Sequence, residues 1–465
     1  MAAMKCASFK SRGEEIMESV TKSQMEKYWR YFIALSMLAC IQFAGASRSA
    51  EPPAGQEALH RHIKEVMPLS VCESNSTANN NFALPKPYSV PCTSGGFRNM
   101  FYWDTYFTNA GLLLDGDTGQ ALNNIENIAF MIDSIGYMPN ATSKDLLNRS
   151  QPPLFCRMVK DYYDATGDRE FLARMIPILE KEYGFWMTRR VAPNGLNRYG
   201  HDATRQELID FCNGLAHRVR VNPDDFSEEE RVDFGAHLLA EAESGWDFNP
   251  RFNGRCMDYN PVDLNAILYG FERDMASFLE RLGLPGKELW DKRADARRVL
   301  MNKYFLDPES GLYYDYDFVN GKRSEVYSSA VFAMFWLGAA DSRSAKALVD
   351  NLGLLEADHG ILTCAFRPGI APFAQWDAPN GWAPVHFFAI KGLDRYGYKD
   401  DAARIAGKYL EAQTAIYGKT RQLWEKYNAV KGNTEVNDEY KMPGEFLGWT
   451  AGVYQTAYDY LYGAE

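Results

Sequence analysis

Asp168 to Arg190, DREFLARMIPILEKEYGFWMTRR, is the stretch on which the fold turns. Its apolar side chains, among them Phe171, Leu172, Met175, Ile176, Leu179, Tyr183 and Trp186, recur at intervals of three and four residues, which aligns them on one face of a helix. The same spacing recurs over Gly119 to Gly136, Gln151 to Thr166, Val262 to Gly283, Leu289 to Tyr304, Glu325 to Ala340, Ala345 to Leu354, Pro384 to Tyr396, Asp401 to Tyr417 and Phe446 to Tyr462. No convincing strand is visible. Loops rich in Gly, Pro, Asn and aromatic residues separate the helices, without a low-complexity linker or a short solenoid repeat. The pattern predicts one all-α domain in which paired helices close into a ring, with its loops gathered at one end.

At 465 residues and 46% hydrophobic content the chain can bury a large core, and its net charge of -11 argues against a nucleic-acid partner. A thirteen-residue apolar run, Tyr31 to Phe43, follows Lys27 and Arg30 and precedes Ala44-Gly45-Ala46. It is too short for a stable membrane span and has the layout of a secretory signal, with a start at Met25. The expected organisation is a leader over 1–46 with its signal at 25–46, an N-terminal extension over 47–94 and the helical domain over 95–465, in a secreted or periplasmic protein. Beyond the leader the cysteines are Cys72, Cys92, Cys156, Cys212, Cys256 and Cys364, with no C-x-x-C pair. Cys72 and Cys92 are near enough in sequence to pair in an export compartment, and isolated buried thiols account for most of the others. The histidines form no i, i+4 pair, and His60-x-His62 reads as a solvated helix face; no metal is expected.

The loops carry the chemistry. Gln375 to Pro384, QWDAPNGWAP, packs two indoles, a carboxylate and amides into one turn-rich segment, which suits a pyranose: rings against its C–H faces and polar groups for its hydroxyls. Glu243-Ser244-Gly245-Trp246-Asp247-Phe248 sets Asp247 beside an indole, where a carboxyl loses solvation and holds its proton as a general acid can. Leu423 to Asn428, LWEKYN, offers Glu425 to deprotonate a water. A helix-capping Asp and a Lys-paired surface Glu are the plain structural readings of the same two residues. Phe101 to Phe107, read as a loop, repeats the Trp-Asp pairing at Trp103-Asp104. Asn140, Asn148 to Pro153 (NRSQPP) and Arg205-Gln206-Glu207 add planar amides and guanidinia that suit either adjacent hydroxyls or helix entry.

Together these blocks resemble the trehalases of glycoside hydrolase family 37, in order and spacing, from about Gly95 to Tyr462. QWDAPNGWAP matches a family signature at every position, and SGWDF, GYMPN, RSQPP, EKEYGFWM and EKYN are similar to further family blocks. The resemblance implies an (α/α)6 barrel and hydrolysis with inversion at the anomeric carbon, with no cofactor. It assigns the acid to Asp247 and the base to Glu425. In inverting enzymes such carboxyl groups stand roughly 6.5 to 9.5 Å apart, leaving room for water. Sugar contacts carried over by motif are Trp103, Asp104, Asn140, Arg149, Ser150, Gln151, Arg205, Glu207 and Gly245. Trp376 and Trp382 are expected as pocket walls, and Asp377 as the anchor of their loop.

Two departures from the family pattern fall on the side of the leaving sugar. Gly96 stands where the family has a sugar-binding Arg and Asn99 where it has a Glu, leaving Arg98 as the nearest guanidinium. Ala429 to Asp438 replaces a glycine-rich lid, with Glu439-Tyr440 retained after it. Arg98 and Glu439 therefore complete the candidate contacts. Trehalose is the expected substrate. The alternatives are a small α-glycoside such as glucosylglycerate or mannosylglycerate, or a non-catalytic sugar binder, against which the retention of both Asp247 and Glu425 argues.

Overall fold

The computed structural model describes residues 51–93, 97–437 and 448–463. Its helices, in chain order, are α1 (Ala54–Val66), α2 (Tyr102–Leu114), α3 (Thr118–Ile135), α4 (Phe155–Thr166), α5 (Arg169–Arg189), α6 (Arg205–Leu215), α7 (Glu228–Ser244), α8 (Val262–Leu282), α9 (Lys287–Tyr304), α10 (Phe332–Trp336), α11 (Ser342–Asp350), α12 (Ala383–Arg395), α13 (Lys399–Thr420) and α14 (Gly448–Tyr462). Helix α2 packs on α4, α4 on α8, α8 on α10, α10 on α12, α12 on α14, and α14 returns to α2, which closes an inner ring of six. Outside it lie α1, α3, α5, α9, α11 and α13. This is an (α/α)6 barrel, with α6 and α7 as an additional helical hairpin packed on each other.

The two rings differ in where their apolar residues fall. Ten of the thirteen residues of α2 are buried and only four of the eighteen in α9, because an inner helix is enclosed on all sides and an outer one rests on a single stripe. Local signals set the ends. Asp117 and Asp168 cap α3 and α5 by accepting from the backbone N–H of Gln120 and Phe171, and Thr204 with Glu207 and Ser227 with Glu230 form capping boxes at α6 and α7. The ring closes where α14 crosses α2 at Gly452 and Gly111: a Cβ on Gly452 would stand 1.9 Å from the Phe107 carbonyl oxygen.

Several expectations are corrected. Phe101 to Phe107 is the entry of α2 and not a loop. Helices α6 and α7 are additions to the expected set, and on α1, where a helix is expected, His60 stacks on Tyr458 at 3.9 Å while His62 tilts against Tyr417 at 4.9 Å, so neither heads a solvated face. The span Glu325 to Ala340 is helical only over α10 and a short 3-10 turn before it, because Ser328 bridges Cys364 and the Ser329 N–H donates to Thr363 O at 2.9 Å. Cys72 and Cys92 are free thiols. Strands exist but are brief; the consequential pair is β1 (Asn380–Trp382) with β2 (Lys426–Asn428), antiparallel, with Trp382 opposite Lys426. Among the described residues no helix is long and apolar enough to cross a membrane.

Candidate active site

A cavity of about 390 Å³ opens where the inner helices begin. Helix α2 places Trp103 and Asp104 there from its first turn, and the segment leading into α4 supplies Arg149 and Gln151. The turn after α7 presents Gly245 and Asp247, the lead into α12 presents Trp376 and Trp382, and the segment before α14 presents Glu425. Asn140 completes the set of expected residues on the wall.

Backbone geometry accounts for how Asp247 arrives. Gly245 caps α7 with φ of 72°, a left-handed turn, and a Cβ there would meet the Trp103 ring at 2.7 Å. The chain thus reverses directly under an indole. Upstream, Glu243 forms a buried ion pair with Arg190, at 2.8 Å to each of two guanidinium nitrogens, and accepts from the N–H groups of Ser150 and Gly200 at 2.9 and 2.7 Å. One carboxylate therefore ties the end of α7 to the Arg149–Gln151 segment. Gln151 in turn accepts from the Trp103 N–H at 3.1 Å, and Asn140 donates to Ser150 O and Ala242 O at 3.0 and 3.2 Å.

The indoles form one block. Trp376 and Trp382 stack at 3.9 Å with 4° between planes, and Trp103, Trp246 and Trp449 approach Trp376 at 5.8, 4.8 and 6.2 Å. Asp377 accepts from its neighbour Ala378 N–H at 2.8 Å and pairs with Arg367, holding the loop as expected. Opposite, β2 carries Lys426 beside Glu425, with Nζ 3.7 Å from Glu425 Oε2 and 5.1 Å from the Trp382 ring. Glu425 is only 12% exposed at its side chain, so it is no surface carboxylate.

Burial shapes the electrostatics. It pushes the Asp247 carboxyl above the ordinary aspartate range, against the pull of Arg218, Lys426 and Arg149. Asp104 is pushed up to about 8 by burial and by the neighbouring Glu425 and Asp247, so at neutral pH it is a protonated donor. Glu241, behind Asp247, also reaches about 8 through burial. Arg149 is pulled down to about 10 by burial and stays charged; its buried Nε–H has no hydrogen-bond partner among the described residues.

Other expected contacts lie off the cavity wall. Arg98 donates to Cys92 O and Thr93 O at 2.8 Å each and to Cys72 Sγ at 3.3 Å, so its guanidinium braces the N-terminal extension. Ser150 is buried behind the wall, its hydroxyl bonded to Met138 O at 2.6 Å. Arg205 is exposed and paired with Glu228 and Glu229 of α7, and Glu207 caps α6 while accepting from Asn148 at 3.1 Å. Glu439 and Gly96 lie outside the described residues, as does the leader. Conversely, Phe97, Phe101, Arg218, Gln375 and Trp449 line the cavity without having been singled out. Gln375 and Phe101 stand in quoted motifs; Arg218, in the turn after α6, carries no local signal at all.

Comparison with known proteins agrees with this architecture. The trehalase family model matches residues 9–461. Periplasmic trehalases of Salmonella dublin and Salmonella enteritidis PT4 are each 32% identical over 428 residues, covering 86% of this chain and 73% of theirs. Among solved structures, neutral trehalase Nth1 from Saccharomyces cerevisiae superposes with a TM-score of 0.70 at 26% identity, over 88% of this chain and 80% of that one. A GH63 mannosylglycerate hydrolase from Thermus thermophilus shares the fold at a TM-score of 0.60 and 19% identity, over 86% and 100% of the two chains. With a family model spanning nearly its whole length and relatives at this identity, the chain belongs to the trehalase family.

Proposed function

We propose that the enzyme hydrolyses the α,α-1,1 bond of trehalose with inversion, Asp247 acting as general acid and Glu425 as general base. The observation that carries this is the delivery of two carboxyl groups, from separate loops, into one indole-walled cavity of ligand size. In the reaction the Asp247 carboxyl gives its proton to the glycosidic oxygen as the C1–O bond breaks. Glu425 takes a proton from a water whose oxygen bonds C1 from the opposite face. Burial raises the Asp247 carboxyl above the ordinary aspartate range, which favours the protonated form that the first step needs. Protonated Asp104 and the spare Arg149 donor bind sugar hydroxyls, and the Trp376–Trp382 stack presents an apolar face to the ring.

Family membership and the trehalase names of its relatives support trehalose over the glycerate glycosides, whose hydrolase shares only the fold. The Salmonella relatives named periplasmic, with the leader read from the sequence, support export; activity retained in the cytoplasmic fraction of the host would refute it. The decisive assay follows glucose from trehalose by NMR as it is released. Inversion yields one β-glucose for each α-glucose at first, with 18O from labelled water only in the β-anomer. Asp247→Asn and Glu425→Gln are each expected to lower kcat by at least about 10²-fold with little change in melting temperature. Initial release of α-glucose alone would overturn the mechanism.

A further inference from the structure

Gln375 sits at the centre of a junction that joins the proposed acid to two cations. Its side-chain oxygen accepts from Arg218 at 3.0 Å and from Lys426 at 3.1 Å. Its amide nitrogen donates to Asp247 Oδ2 at 2.7 Å and to the Asp247 carbonyl at 3.2 Å. Gln375 is 3% exposed, so these contacts are made away from solvent. Guanidinium and ammonium groups have no acceptor lone pair, so the end of the amide facing Arg218 and Lys426 must be its oxygen. The NH2 is then compelled to face Asp247. Each cation is itself held: the Arg218 guanidinium lies 4.1 Å over the Phe248 ring, next in sequence to Asp247, and Lys426 lies beside Trp382.

This orientation has a consequence for the proton. An amide N–H needs a good acceptor, and in a neutral carboxyl the carbonyl oxygen is the better one. With Oδ2 engaged by Gln375, the hydroxyl of protonated Asp247 resides on Oδ1. Resting on the acid role given to Asp247 above, we propose that Gln375, locked by Arg218 and Lys426, is the positioning residue of the general acid and fixes its transferable proton on Oδ1. Arg218 reaches this junction from the turn after α6, so the hairpin outside the barrel contributes to the acid side of the site.

The test compares trehalose with α-D-glucosyl fluoride, whose leaving group departs as fluoride and needs little protonation. Asp247→Asn serves as the control. Gln375→Met keeps the length of the side chain and removes both functions; Gln375→Glu keeps the acceptor for Arg218 and Lys426 and removes the donor to Asp247. Both are expected to lower kcat on trehalose about a hundredfold, with KM within about threefold, and to lose far less on the fluoride. Arg218→Met should lose about tenfold on trehalose, with Arg218→Lys recovering most of it, and the Arg218→Met, Gln375→Met double variant should be no worse than Gln375→Met alone. Equal losses on the two substrates, multiplicative losses in the double variant, or full trehalase activity in Gln375→Met would overturn the proposal. Should Asp247→Asn itself impair both substrates equally, the acid assignment fails and the positioning role falls with it.

Discussion

At the residue scale, Gly245 shows how a position without a side chain governs the chemistry of its neighbours. A methyl group there meets the Trp103 ring at 2.7 Å, on a backbone whose φ of 72° already disfavours L side chains. Gly245→Ala is therefore expected to cost about 1–2 kcal/mol for the left-handed turn and a further ~1–3 kcal/mol for overpacking. Denaturant melts would read the loss. Because the same turn delivers Asp247, kcat should fall in the variant even where it remains folded. The sequence makes this segment legible as chemistry, since a carboxyl beside an indole after a glycine is a local pattern. Gln375 is different: it stands in the most legible motif of the chain, yet its partners Asp247 and Arg218 lie 128 and 157 residues away. Arg205 errs in the opposite sense, a motif residue whose guanidinium is engaged by two carboxylates of its own hairpin.

At the scale of elements, the apolar pattern marks helices of both rings, α5 outside and α8 and α12 inside among them, but not α2, for a physical reason. Helix α5 spans Arg169–Arg189 where the pattern predicted Asp168 to Arg190, because a one-sided stripe survives in sequence. Helix α2 is buried all round, and with aromatic and polar residues on every face its periodicity vanishes. What fits α2 into the ring is backbone proximity. A Cβ on Gly111 would stand 2.8 Å from the Gly452 Cα, and Gly452 has less room still. Gly452→Ala should destabilise the protein by at least ~1–3 kcal/mol, since the obstruction is a carbonyl group and not a flexible side chain. Trp449 and Trp103 lie on these two helices, so activity should fall more steeply than melting temperature. A variant as stable and active as the parent would show that the helices can separate without cost.

At the scale of the whole molecule, buried acids set the response to pH. Asp104, Glu182 and Glu241 are each pushed up to about 8, chiefly by burial, from ordinary values of 3.8, 4.5 and 4.5. The folded protein therefore holds protons that the unfolded chain releases, and their stabilising contribution is lost as pH rises from the ordinary range through about 8. Each group held protonated in this way gives a slope of about 1.4 kcal/mol per pH unit. The histidines His60, His201, His237 and His386 are pulled below 6.5 by burial and oppose this trend only below that pH. Melting temperature should thus fall between about pH 6.5 and 8. Glu182→Gln keeps the acceptor for the Tyr102 hydroxyl and should flatten the fall; an unchanged slope would remove Glu182 from the account.

The contact between α14 and α2 also bears on how the protein is made. The first inner helix leaves the ribosome long before its final neighbour exists, with Tyr102, Trp103, Tyr106 and Phe107 lacking part of the surface they will bury. Contacts between segments so distant in the chain form late and slowly, and an open ring of apolar helices is prone to associate with others like it. A nascent chain that stops short of Gly448 would lack both the seam and Trp449, and with them one wall of the cavity. Catalytic competence is thereby expected only once synthesis has passed α14, and a chain truncated before Gly448 is expected to be inactive in a trehalase assay.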